Sequence, residues 1–115
     1  MKVIRLFSGS DKESHFEWVE VPLGELQWAQ GLVFRRDRPG HTHSWHPAPR
    51  RQYVITLLGA AEIEIGSGER RTFGAGEVML AEDTTGRGHI TRVVGPEVRV
   101  SVAIPLSELR GITHE

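Results

Sequence analysis

The 115-residue chain has no cysteine. That excludes disulfides, thiolate nucleophiles and thiolate metal sites together. A surplus of one charge is also missing: 14 Lys and Arg stand against 15 Asp and Glu, a formal net charge of −1. Such a chain has no field to draw in nucleic acid or an anionic membrane. The arginine pairs Arg35-Arg36, Arg50-Arg51 and Arg70-Arg71 each have acids nearby and read as solvated surface. No apolar run approaches the ~20 residues of a membrane span. The first apolar run, within MKVIRLFSGSDKESHF, is too short and interrupted for a signal peptide. A cytoplasmic protein is therefore expected. No Ser-His-Asp arrangement, phosphate loop or dinucleotide fingerprint is present. Gly66-Ser67-Gly68 precedes no helix, so it is a turn and not a phosphate cradle.

What is there suits one domain spanning 1–115: 38% hydrophobic and 25% charged residues, enough for one modest core. Short strands separated by glycine turns account for nearly all of it. Val3 to Phe7, Glu17 to Val21, Gly31 to Arg36, Gln52 to Leu58, Ala61 to Ile65, Glu77 to Leu80 and His89 to Val93 have strand composition or alternation. In the last candidate strand Val98, Val100, Val102 and Ile104 alternate with Arg99, Ser101 and Ala103. Only Ser107 to Arg110 hints at a helical turn. Strands every ten residues or so indicate an antiparallel sandwich or barrel. Trp18, Trp28 and Trp45 read as core or rim packing.

Three of the six histidines lie in PGHTHSWHPAPRRQY, Pro39 to Tyr53. Gly40, five residues, His46, one residue, Ala48, three residues, Gln52, six residues and Gly59 reproduce the spacing of a known motif. It is the first motif of the cupins, G-(X)5-H-X-H-(X)3,4-E-(X)6-G. Ala48 replaces the second histidine and Gln52 the glutamate. Gly86, two residues and His89 resemble the core of the second cupin motif, in which Thr84 replaces the proline and Val93 the asparagine. Sixteen residues, Ala60 to Ala75, separate the two motifs, like the short spacer of small bacterial cupins. The chain therefore resembles a small single-domain cupin of the RmlC-like superfamily, with a motif-bearing core over about 31–104.

The resemblance implies an all-β, jelly-roll-like double-stranded barrel with its pocket inside. It also implies that His46 and His89 stand where cupins place metal ligands, with Gln52 able to add a neutral amide oxygen. Ala48 cannot ligate. Strand parity puts Thr42 and Ser44 on the face of His46 and turns His41, His43 and Trp45 away, unless a bulge starting at Pro39-Gly40 reverses them. On the next strand Val54, Thr56 and Leu58 share the face of Gln52. The opposite face, Tyr53, Ile55 and Leu57, is as apolar, so another layer or subunit must cover it. Cupins commonly pair through this strand, and a homodimer is expected. Inward His89 brings Thr91 and Val93 inward as well. Within Glu82-Asp83-Thr84-Thr85 a carboxylate could serve the site as a base or ligand, or simply hold a turn.

Three functional readings follow. The first is a mononuclear-metal enzyme of dioxygenase, isomerase or lyase type. His46, Gln52 and His89 would hold one divalent ion, Fe, Mn, Ni or Zn, with positions left open. The second is a metal-free protein that binds a sugar or organic acid as sensor or carrier, which Ala48 and Gln52 favour. The third is a metal-free isomerase or cyclase with His46 or His89 as acid or base. In each, Trp45, Gln52, Val54, Thr56 and Thr91 are the expected contacts to a small molecule.

Overall fold

The computed structural model describes residues 1–107, so most of the helical turn expected from Ser107 to Arg110 lies outside the described residues. Ten strands follow one another: β1 Lys2–Ser8, β2 Ser14–Glu20, β3 Val33–Asp37, β4 Thr42–His46, β5 Gln52–Leu58, β6 Ala60–Glu64, β7 Arg70–Gly74, β8 Val78–Glu82, β9 His89–Val94 and β10 Arg99–Pro105. They form a six-stranded sheet in the order β2-β1-β8-β5-β10-β3 and a four-stranded sheet in the order β4-β9-β6-β7. Every pairing is antiparallel except β1 with β8, which run parallel. Among the described residues no helix is long and apolar enough to cross a membrane.

The β6–β7 hairpin turns at Gly66-Ser67-Gly68 as expected, with Gly68 N–H donating to the Ile65 carbonyl. Between the two sheets lies one core of Ile4, Leu6, Ile63, Ile65, Phe73 and Met79. Leu6, Ile63 and Ile65 are fully buried; burial of such side chains contributes about 1.5–3 kcal/mol each. A second cluster, Val3, Val21, Leu80 and Leu106, sits on the outer face of the large sheet. The segment between β2 and β3 crosses that face, where Gln27 Oε1 accepts from the Tyr53 hydroxyl at 2.7 Å. The chain thus supplies part of the outer layer that β5 demanded. Leu57, Phe34 and Trp28 stay exposed at 47%, 65% and 63%.

Two irregularities shift residues from the faces that simple alternation assigns. The β5–β10 register slips between Val100 and Ser101, so that Val100 faces Leu58 while Ser101 faces Thr56. Leu57 is the extra residue, and Leu58 leaves the inward row on which parity had placed it. In the β4–β9 ladder His43 faces Thr91 and His46 faces His89, three residues against two. This bulge brings His43 onto the inner side with His46, contrary to the parity expectation. It lies within β4 and not at Pro39-Gly40. The tryptophans are not core: Trp18 is 59% exposed, and Trp45 faces out beneath the Arg87 guanidinium, 4.4 Å from its ring centre.

Candidate functional site

A cavity of about 330 Å³ opens between the sheets. His46, Gln52, Val54, His89 and Thr91 line it, together with His43, Asp37, Arg35 and Arg99. Of the residues expected to touch a small molecule, Trp45 lies outside this wall. Thr56 lies behind it, 1% exposed.

His46 and His89 meet because their strands do. They are register partners across β4 and β9, and their ring centres are 4.6 Å apart. Gly88 permits this closeness. Its φ is +80°, and a Cβ there would stand 2.0 Å from the His46 carbonyl oxygen. Each ring is fixed through the same nitrogen. His46 Nδ1–H donates to the Ser44 carbonyl at 2.6 Å. His89 Nδ1–H donates to Asp83 Oδ2 at 2.6 Å. Those bonds select the tautomer that leaves Nε2 with its lone pair free, the arrangement that suits both ligation and proton transfer.

Asp83 is fully buried. Its Oδ2 also accepts from the Ser14 hydroxyl at 2.7 Å, and its Oδ1 has no partner among the described residues. Its backbone carbonyl accepts from Ala48 N–H, which ties the segment after β4 to the end of β8. Glu82, the neighbouring acid, serves elsewhere: it accepts from Arg5 Nε at 2.5 Å and from Arg51 Nε. Of the acidic run singled out in the sequence, Asp83 backs the site and Glu82 braces the sheet. Arg51 is committed to that brace and not to the cavity mouth.

Sequence reasoning missed the cations. β10 turns Arg99, Ser101 and Ala103 toward the cavity, while Val102 belongs to the opposite face. Arg99 is 7% exposed. Among the described residues its hydrogen bonds go to Thr56 Oγ1, from Nη2 at 3.1 Å and Nε at 3.4 Å. Burial pulls the guanidinium below its ordinary value, and the charge of Asp37, its register partner on β3, offsets only part of that. Arg35, opposite Ser101, adds a second cation to the wall. The available signal was the alternation itself: Arg99, Ser101 and Ala103 formed the polar row, and a cavity inverts the rule that the apolar row faces inward.

The donors at the positions that a cupin uses for metal are two neutral imidazoles and one amide. Ala48 is buried and offers none, and the same wall carries Arg99 and Arg35. With the second histidine and the glutamate of the motif both replaced, the set offers two imidazoles and a weak amide and no carboxylate ligand, so it does not fit a dication by itself.

Neither a protein-family model nor a curated protein matches the sequence. Solved structures do match in fold. An uncharacterised double-stranded β-helix protein from Klebsiella pneumoniae is 23% identical, with 75% of this chain and 80% of that one covered and a TM-score of 0.52. A cupin 2 conserved barrel domain protein from Salinispora arenicola is 19% identical over 83% of this chain and 80% of that one, with a TM-score of 0.54. The cupin domain of Schizosaccharomyces pombe Cnp3 is 15% identical over 86% of this chain and 77% of that one, with a TM-score of 0.50.

Proposed function

We propose that this chain, which has the cupin-type double-stranded β-barrel fold, binds a small organic anion inside the barrel. The observation that carries this reading is Arg99: a buried guanidinium on the cavity wall, held by a hydroxyl and not by an acid. A buried cation is costly unless a charge meets it. Asp37 offsets only part of that cost; a ligand carboxylate supplies the rest and accepts two parallel N–H bonds, the geometry that arginine favours. Arg35 and Ser101 flank the same place, Gln52 offers an amide, and Val54, Ile63 and Met79 provide the apolar wall for a short carbon skeleton.

The test is a calorimetric titration of the full chain with small mono- and dicarboxylates, beside neutral sugars of similar size. Carboxylates are expected to bind and neutral sugars not to. An Arg99→Met variant of normal circular dichroism should lose at least about tenfold in affinity, or about 1.4 kcal/mol. Equal binding by parent and variant, or binding of neutral sugars alone, overturns the reading.

The His89–Asp83 pair favours a second step on the same ligand. With Nδ1 anchored, His89 Nε2 is placed to take a proton from a carbon or hydroxyl next to the carboxylate and return it, as an isomerase requires. His46, 4.6 Å away between ring centres, would be its partner. Retention of the ligand with exchange of its C–H for deuterium in heavy water would report this step. A His89→Ala variant that still exchanges would remove it.

The exposed apolar row at the β3 edge and the end of β5 makes a second copy of this chain the expected partner.

A further inference from the structure

We propose that the chain binds one transition-metal dication at the rim of the cavity through Asp37, His41 and His43, and not at the position that the cupin motif marks. The side-chain donor atoms of these three residues lie within 4.8 Å of one another. His43 Nε2 is 3.8 Å from Asp37 Oδ1. Two donors on one ion at ~2.1 Å are roughly 3.0–3.4 Å apart, so small side-chain adjustments close the site. The rings of His41 and His43 meet edge to face with centres 4.4 Å apart.

The scaffold holds the three in place. Asp37 ends β3, in register with Arg99. His41 is fixed on both sides of its backbone: its N–H donates to the Arg38 carbonyl, and its carbonyl accepts from Val93 N–H at 2.8 Å. His43 pairs with Thr91, just before the bulge that turns it inward. Among the described residues none donates a hydrogen bond to the Asp37 carboxylate, and neither imidazole is engaged by a hydrogen bond. The ligands are therefore free to bind an ion without breaking an existing hydrogen bond.

Two imidazoles and one carboxylate suit iron, zinc, nickel or cobalt in the divalent state and leave coordination positions open. Here a carboxylate ligates directly, which no residue at the motif position does. Asp37 and His43 also line the main cavity, so the open positions face the space assigned to the anion. Arg36 and Arg38 stand beside Asp37 and His41, and an anionic co-ligand would offset their charge. Such a co-ligand rests on the proposed anion pocket; the metal site itself does not. Because Asp37 belongs to the large sheet and His43 to the small one, the ion would tie the two sheets together.

The experiment is calorimetry and thermal unfolding of the untagged full chain with zinc or nickel ions alone, with no carboxylate present. About one equivalent is expected to bind and raise the unfolding temperature. Asp37→Asn and His43→Ala should each weaken binding at least about tenfold. A His46→Ala/His89→Ala double variant should bind nearly as the parent does. With cupric ion, the electron paramagnetic spectrum should show coupling to nitrogen that is lost in His41→Ala/His43→Ala. Binding that survives Asp37→Asn and His43→Ala, binding that depends on His46 and His89 instead, or no binding at about 100 μM each overturns the proposal. None of these outcomes bears on whether carboxylates bind at Arg99.

Discussion

Among the described residues, Asp83 is a carboxylate wholly shut off from solvent, and two buried donors depend on it. It accepts from both Ser14 and His89 through one oxygen. Removal of its carboxyl leaves two buried donors unmatched. Asp83→Ala should therefore cost about 2–3 kcal/mol, read as a lower urea midpoint at unchanged slope. Asp83→Asn, whose amide oxygen can still accept both bonds, should cost less. Equal midpoints for parent and alanine variant would show that the two bonds add nothing. At this scale the sequence was legible where spacing encodes position. Gly40, His46, Gln52, Gly59 and His89 kept the separations of the cupin motifs, and the structure gathers His46, Gln52 and His89 on one cavity wall. It was not legible where a side chain acts from a strand with no motif. Arg99 and Asp37 are far apart in sequence and become neighbours only through the β3–β10 register. Asp83 was singled out, but no local pattern says which of two adjacent acids turns inward.

At the scale of the element, β8 is the strand whose pairings hold the large sheet in order. It runs parallel to β1 and antiparallel to β5, and its last residue, Glu82, joins Arg5 of β1 to Arg51, the residue just before β5. Burial opposes ionisation of Glu82, but the hydrogen bonds from Arg5 and Arg51 outweigh it and hold the carboxyl below the ordinary range. A folded-state value below the unfolded one stabilises the protein above the unfolded value, near 4.3. That contribution is lost as pH falls through the folded value. The parent should thus lose thermal stability steadily as pH drops below about 5. Glu82→Gln should be less stable than the parent at pH 7 and show a shallower acid decline. Parallel pH curves for the two proteins would rule the brace out. The elements themselves were mostly visible from alternation and glycine turns. β7 was not: RRTFG has no clean period, and its strand form comes from pairing with β6. The β4 bulge was foreseen as a kind of event but not at its position, because an extra residue is decided by the partner strand and leaves no local mark.

For the whole molecule, strand count and turn spacing indicated an all-β sandwich or barrel, and the two stacked sheets have that form. The apolar outer face of β5 was read as needing cover. The chain covers Tyr53 with its own β2–β3 segment, which periodicity could not reveal because that segment has none. Phe34, Leu57 and Trp28 remain exposed. Large apolar side chains left exposed, if they adjoin, mark an interface. Sedimentation is expected to give a dimer for the parent and a monomer of unchanged circular dichroism for Phe34→Glu. A parent that sediments as a monomer at all concentrations would leave this face without a second copy.

The parallel pairing of β1 with β8 has a consequence in time. Ile4 sits beside Met79, so of these ten strands the earliest made waits for the eighth before its second edge is closed. Until then only β2 can hold it, as a lone hairpin, and such a hairpin is marginal in water. Closure across that length of chain carries an entropic cost before any contact repays it, which places folding among the slow, non-local β topologies. The cavity is lined by residues from Arg35 of β3 to Ala103 of β10, so it is complete only after the last of these strands has emerged.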